Sequence, residues 1–192
     1  MGDLDLRRDI DAIVIGASAG GVQALLRLLE RLPADFATPI LIVLHLPRDR
    51  PSQIVELFDA HCALAVREAV DKMPLTQGTV VFAPPDYHLL VEDDSHLALS
   101  TDEPVLFSRP AIDPLFISGA AVFSRRLLAI LLTGASADGS EGVAAVRRAG
   151  GTVWIQQPED AAAPFMPASA LAHAGAEAVL TLKDIAERMA TA

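Results

Sequence analysis

The chain has 192 residues and a mass of 20.3 kDa, enough for one domain. It is 52% hydrophobic and 21% charged, with a mean hydropathy of +0.37, so it can bury a sizeable core and is not disordered over most of its length. Lys plus Arg number 15 against 25 Asp plus Glu, a net charge of −10, which argues against a nucleic-acid groove and against docking on an anionic membrane.

Residues 1–10 read as an N-terminal extension. Met1 to Arg8 lacks the apolar stretch of a signal peptide, and Leu6 breaks the myristoylation pattern. Ala12 to Ile15 is a continuous apolar run closed by Gly16, the pattern of a buried parallel strand. Gly20 to Leu32 carries apolar residues at helical spacing, and Pro33 ends it. Ile40 to Leu44 is the next buried strand, Ser52 to His61 a helix, and Ala63 to Val70 and Thr79 to Ala83 are strands. Tyr87 to Val91 and Leu97 to Ser100 flank a polar turn and predict an antiparallel β-hairpin appendage. Pro110 to Arg125 predicts a helix, Leu127 to Thr133 a strand, Ser140 to Ala149 a helix and Thr152 to Gln156 a strand. Pro167 to His173, Ala178 to Thr181 and Asp184 to Met189 complete the chain as helix, strand, helix. The alternation predicts an α/β fold: a doubly wound, mostly parallel sheet with helices on both faces. The single cysteine, Cys62, excludes an internal disulfide and every multi-cysteine zinc motif. No apolar run approaches the roughly 18 residues of a spanning helix, so no membrane insertion and a cytoplasmic location are expected.

The first strand–helix junction, Gly16-Ala17-Ser18-Ala19-Gly20-Gly21, fits Gly-x-Ser-x-Gly. A serine on a sharp strand-to-helix turn needs small neighbours, and the turn would expose its hydroxyl beside backbone amides that can hold an oxyanion. A phosphate loop or a plain tight turn competes with that reading at even weight. The glycines do not match Gly-x-Gly-x-x-Gly, however, and no Lys-Ser/Thr follows. Of the five histidines, His45 directly follows the apolar run Ile40 to Leu44 and so falls at the carboxyl end of a strand, where doubly wound sheets build their sites. His61, His88, His96 and His173 read as surface or capping residues. Asp138 lies just beyond the strand Leu127 to Thr133, with helix capping of Ser140 to Ala149 as its bland alternative. Ser18, His45 and Asp138 therefore share one predicted rim, as a nucleophile, base and orienting acid require.

These segments resemble the catalytic domain of the CheB family of chemotaxis protein-glutamate methylesterases. The resemblance rests on the stretch from Ile13 to Gly21, His45-Leu46-Pro47, Ala83 to His88, Arg109 to Asp113, Leu132-Thr133-Gly134, Asp138 to Gly142 and Phe165-Met166-Pro167, in that order. It covers the chain from about Asp11 to Met189 and marks 11–192 as the catalytic domain. It implies a Ser18-His45-Asp138 triad that hydrolyses γ-glutamyl methyl esters on the cytoplasmic helices of methylated chemoreceptors, some members also deamidating glutamines. It implies no metal and no organic cofactor. The Ala19 and Ala135 amides become oxyanion candidates; Arg109 reads as a substrate contact or a structural ion pair, and Met166 as lining the pocket or packing in the core.

Four positions depart from the family's common pattern: Ala19 for Thr, Ala135-Ser136 for Met-Gly, Ser108 for His, and Phe165 for Gly. They leave the triad intact and bear on substrate preference. About ten residues precede the first strand, where family members commonly carry a receiver domain. The sequence is therefore read as either a stand-alone esterase or an excised fragment, with a separate receiver or regulatory protein as a candidate partner. Competing functions are a serine esterase or amidase on another substrate and a catalytically degenerate signalling module. A nucleotide-binding module is disfavoured by the loop match.

Overall fold

A continuous run of apolar residues has no solvent side, so as a strand it must be covered on both faces. The computed structural model, which describes residues 9–45 and 53–191, places the runs accordingly. Every residue is buried in strands β1 (Ala12–Ala17), β2 (Ile40–Leu44) and β4 (Thr79–Phe82), and so is every residue of β7 (Leu127–Leu131). With β3 (Ala65–Glu68), β8 (Thr152–Gln156) and β9 (Ala178–Leu180) they form a seven-stranded sheet in the order β3-β4-β2-β1-β7-β8-β9. All its pairings are parallel. Strands β5 (His88–Val91) and β6 (Leu97–Ser100) form the separate antiparallel hairpin.

Alternate strand side chains feed two cores. On one face Ile13 and Ile15 pack with Leu25 and Leu28 of helix α1 (Gly21–Leu29), Phe58 of α2 (Ile54–Asp59) and Ile185 of α6 (Leu182–Ala190). On the other, Val14 and Val43 pack with Leu115 and Phe116 of α3 (Ile112–Phe123), Val143 of α4 (Ser140–Arg148), Ala170 of α5 (Phe165–Ala174) and Leu89 of the hairpin. The sheet is thus doubly wound, as the alternation predicts. Among the described residues, no helix is long and apolar enough to cross a membrane.

Boundaries differ where local chemistry outweighs hydrophobic pattern. The strand expected over 63–70 shortens to four residues at the sheet edge, where only Val66 is buried. The helix expected from Pro110 begins at Ile112, because Ala111 is still extended (φ −119°, ψ 153°), and it passes into a 3-10 turn at Ser124–Arg126. Helix α1 ends at Leu29, short of the expected Leu32, although Leu32 is still buried. The Ser52 expected to open α2, and Leu46 and Pro47 after His45, lie outside the described residues.

The strand order sets the location of the site. From β1 the chain crosses to β2 on one side, and from β7 it crosses to β8 on the other. Between the carboxyl ends of β1 and β7 the connections diverge and leave a crevice, the usual position for a site in a doubly wound sheet.

Candidate active site

At that crevice β1 ends in a tight turn. The Ser18 carbonyl accepts from Gly21 N (2.7 Å), and the Ser18 N–H donates across to the Thr133 carbonyl beyond β7 (2.9 Å). Gly20 sits at φ +78°, and a Cβ there would come within 2.7 Å of the Ala162 methyl. Glycine is needed at this corner for both backbone conformation and space. Ser18 is half-buried and Ala19 exposed.

Strand register brings the histidine to the serine. Ala17 is paired with Leu44, and the ladder continues with His45 N donating to the Ala17 carbonyl (3.1 Å). One residue further on, Ser18 and His45 are neighbours at the ends of adjacent parallel strands, which lie about 4.8 Å apart. The His45 Nε2 meets Asp138 Oδ2 at 2.8 Å, with the histidine side chain 12% exposed and the aspartate fully enclosed. A carboxylate can only accept, so Nε2 carries the proton and Nδ1 keeps its lone pair for a partner. Among the described residues the Ser18 hydroxyl makes no hydrogen bond. Serine–histidine contacts in unliganded hydrolases commonly close only when substrate binds.

Asp138 is fixed from three sides. Besides His45 it accepts from the Ile112 N–H (2.6 Å) and the Asp113 N–H (3.0 Å), the first amides of α3, and its own N–H donates to Ser136 Oγ (3.1 Å). The sequence also allows Asp138 to cap the helix that starts at Ser140. That helix instead begins after Gly139 with no side-chain cap, and Asp138 caps α3. A negative group at a helix N-terminus is favoured by the helix dipole.

The remaining predicted residues divide. Among the described residues neither the Ala19 nor the Ala135 N–H meets an acceptor, and both residues are exposed on the rim. Arg109 spends its guanidinium elsewhere: Nε and Nη2 on Asp86 Oδ1 (3.1 and 2.8 Å), and Nη1 on the Thr101 and Asp102 carbonyls (2.8 and 3.1 Å). It clamps the segment leading into α3. Met166 is fully buried beneath Gly134, whose carbonyl accepts from Met166 N (2.9 Å).

Sequence reading placed His88 on the surface or at a cap. It is 2% exposed, accepting from Ala111 N at Nδ1 (3.2 Å) and facing the Glu103 carbonyl with Nε2 (3.2 Å), so it steadies the entry to α3 from inside. Asp113 is buried and accepts from Gly142 N (2.7 Å). Burial first, and the Asp138 charge after it, push its carboxyl up to about 6. Two buried polar residues escaped the sequence reading as site components, Thr133 and Gln156. Their signal was a polar side chain closing an otherwise apolar strand.

The sequence model of the CheB methylesterase family matches residues 13–189. The chain belongs to the CheB methylesterase family. It is 39% identical over 177 residues to a Leptospira interrogans relative and covers 92% of each chain. It is 36% identical over 187 residues to a "protein-glutamate methylesterase/protein-glutamine glutaminase 2" of Caulobacter vibrioides, covering 95% of this chain but 54% of that one. It thus spans most of the Leptospira protein and about half of the Caulobacter one. The crystal structure of the Thermotoga maritima CheB methylesterase catalytic domain superposes with a TM-score of 0.89 at 30% identity, over 95% of this chain and 98% of that one. Three of the stretches that carry the family resemblance meet at Asp138: His45 bonds its carboxylate, 109–113 brings the Ile112 and Asp113 amides to it, and 138–142 carries it into α4. Of the departures from the family pattern, Phe165 opens α5 and is 57% exposed.

Proposed function

We propose that this chain hydrolyses γ-glutamyl methyl esters of chemoreceptors in chemotactic adaptation, with Ser18 as nucleophile, His45 as base and Asp138 as the group that orients it. The observation that carries this reading is the His45–Asp138 bond of 2.8 Å at the strand end whose register neighbour is Ser18. The Ser18 oxygen attacks the ester carbonyl while its proton passes to His45 Nδ1. Asp138, accepting from Nε2–H, stabilises the imidazolium so formed. The carbonyl oxygen becomes an oxyanion for which the Ala19 and Ala135 amides are the candidate donors. Its collapse expels methoxide, which takes the proton from His45 and leaves as methanol. Water, deprotonated by His45, then cleaves the glutamyl ester on Ser18 and restores the enzyme. With an amide in place of the ester, the same steps release ammonia from a glutamine, the second activity in the Caulobacter relative's name.

The substrate would be presented by receptor helices in the cytoplasm. The test is methanol release from methylated receptor membranes. The wild-type chain should release it, and Ser18→Ala and His45→Ala should each lose about 10⁴-fold or more in turnover. Cleavage of small esters without methanol from receptors would transfer the site to another ester or amide substrate.

A further inference from the structure

Thr133 lies just beyond β7 and Gln156 ends the adjacent β8, and both are polar side chains almost wholly enclosed, 1% and 2% exposed. Buried polar groups are costly unless fully paired, so their bonds indicate what they are for. Thr133 uses every polar atom it has. Its carbonyl accepts from Ser18 N (2.9 Å) and its N–H donates to Gln156 Oε1 (2.9 Å). Its hydroxyl accepts from Ala163 N (2.8 Å) and donates to the Ala19 carbonyl (2.8 Å). The Gln156 amide is held in register by Nε2 donating to Asp160 Oδ2 (2.9 Å), a carboxylate oxygen that also accepts from Leu182 N (2.8 Å).

Thr133 therefore grips the nucleophile turn at two points, the Ser18 N–H before the serine and the Ala19 carbonyl after it. Between those two pinned peptides lies the Ser18–Ala19 peptide, the one that bears the Ala19 N–H. We infer that Thr133, braced by Gln156 and Asp160, is a positioning residue that holds the Ser18 hydroxyl and the Ala19 amide in attacking geometry. The inference rests on the reading of Ser18 as nucleophile. In this chain residue 19 is alanine, whose methyl cannot hydrogen-bond the turn, so the hydroxyl that steadies it comes from Thr133 beyond β7.

The test compares Thr133→Val, which keeps the shape and removes the hydroxyl, with Thr133→Ser, which keeps the hydroxyl. The full chain is used, with thermal melts to check that each variant folds. Two readouts are taken: the rate of Ser18 labelling by a fluorophosphonate, and kcat and KM on p-nitrophenyl acetate. Thr133→Val should lower the labelling rate and kcat by about 10- to 100-fold with KM changed less than about twofold, and Thr133→Ser should stay within about threefold of wild type. Should Thr133→Val not fold, Thr133→Ala against Thr133→Ser makes the same comparison. Equal labelling of wild type and the hydroxyl-less variant overturns the inference. So does an equal loss in Thr133→Ser, which would assign the effect to the methyl group. A wild-type Ser18 that does not react at all would instead overturn the nucleophile assignment.

Discussion

Asp138 makes three acceptor contacts, and only the one to His45 concerns proton transfer. Catalysis and stability can therefore be separated at this residue. Asp138→Asn keeps one oxygen for an α3 amide but turns an NH₂ toward His45, so the imidazole must accept at Nε2 and carry its proton on Nδ1. With no lone pair left for Ser18, turnover should fall about 10⁴-fold while the fold survives. Asp138→Ala leaves two buried amides without an acceptor and should cost about 3 kcal/mol in urea unfolding. Equal stability of the two variants would refute this division of labour. The His45 and Asp138 pairing was legible because His45 directly follows one buried apolar run and Asp138 lies one short loop beyond another. Thr133 and Gln156 were not, because a polar residue at a strand end looks the same in sequence whether it meets solvent or a buried partner.

Helices α3 and α4 are tied by one carboxylate, Asp113 at the start of α3 accepting from Gly142 N in α4. Its folded pKa of about 6 lies above the ordinary 3.8, so between those values the folded chain holds more of this proton than the unfolded chain. The stability it contributes is full below about pH 4 and is lost as pH rises through 6. Asp113→Asn, which still offers Gly142 an oxygen, removes that titration. Its stability relative to wild type should rise from pH 4 to pH 7 in chemical denaturation, and a flat difference would contradict the burial argument. Element type was readable throughout from period and run length, while element ends were not. Ala111 stays extended because its N–H is taken by His88, a partner 23 residues away that no local pattern reveals.

The three proposed catalytic residues follow three central strands, β1, β2 and β7, so the site exists only when the middle of the sheet is closed. Loss of esterase activity and loss of far-UV circular dichroism should share one urea midpoint, as expected of a single cooperative unit. Activity lost well before ellipticity would mean that the rim loops open by themselves. The doubly wound order was foreseeable from strand–helix alternation. Which strands would be neighbours was not, since long-range register is decided by packing.

Adjacent strand ends also decide which edge of the imidazole does the chemistry. In the serine-protease template the far nitrogen, Nε2, serves the serine and the near one serves the acid. Here His45 sprouts from the strand next to Ser18, with its backbone N–H on the Ala17 carbonyl, and its ring extends outward to Asp138. The short arm of the ring is left for the hydroxyl and the long arm reaches the carboxylate. A methyl group placed on Nδ1 of this histidine would cap the base itself, whereas in the protease arrangement it would fall on the bond to the acid.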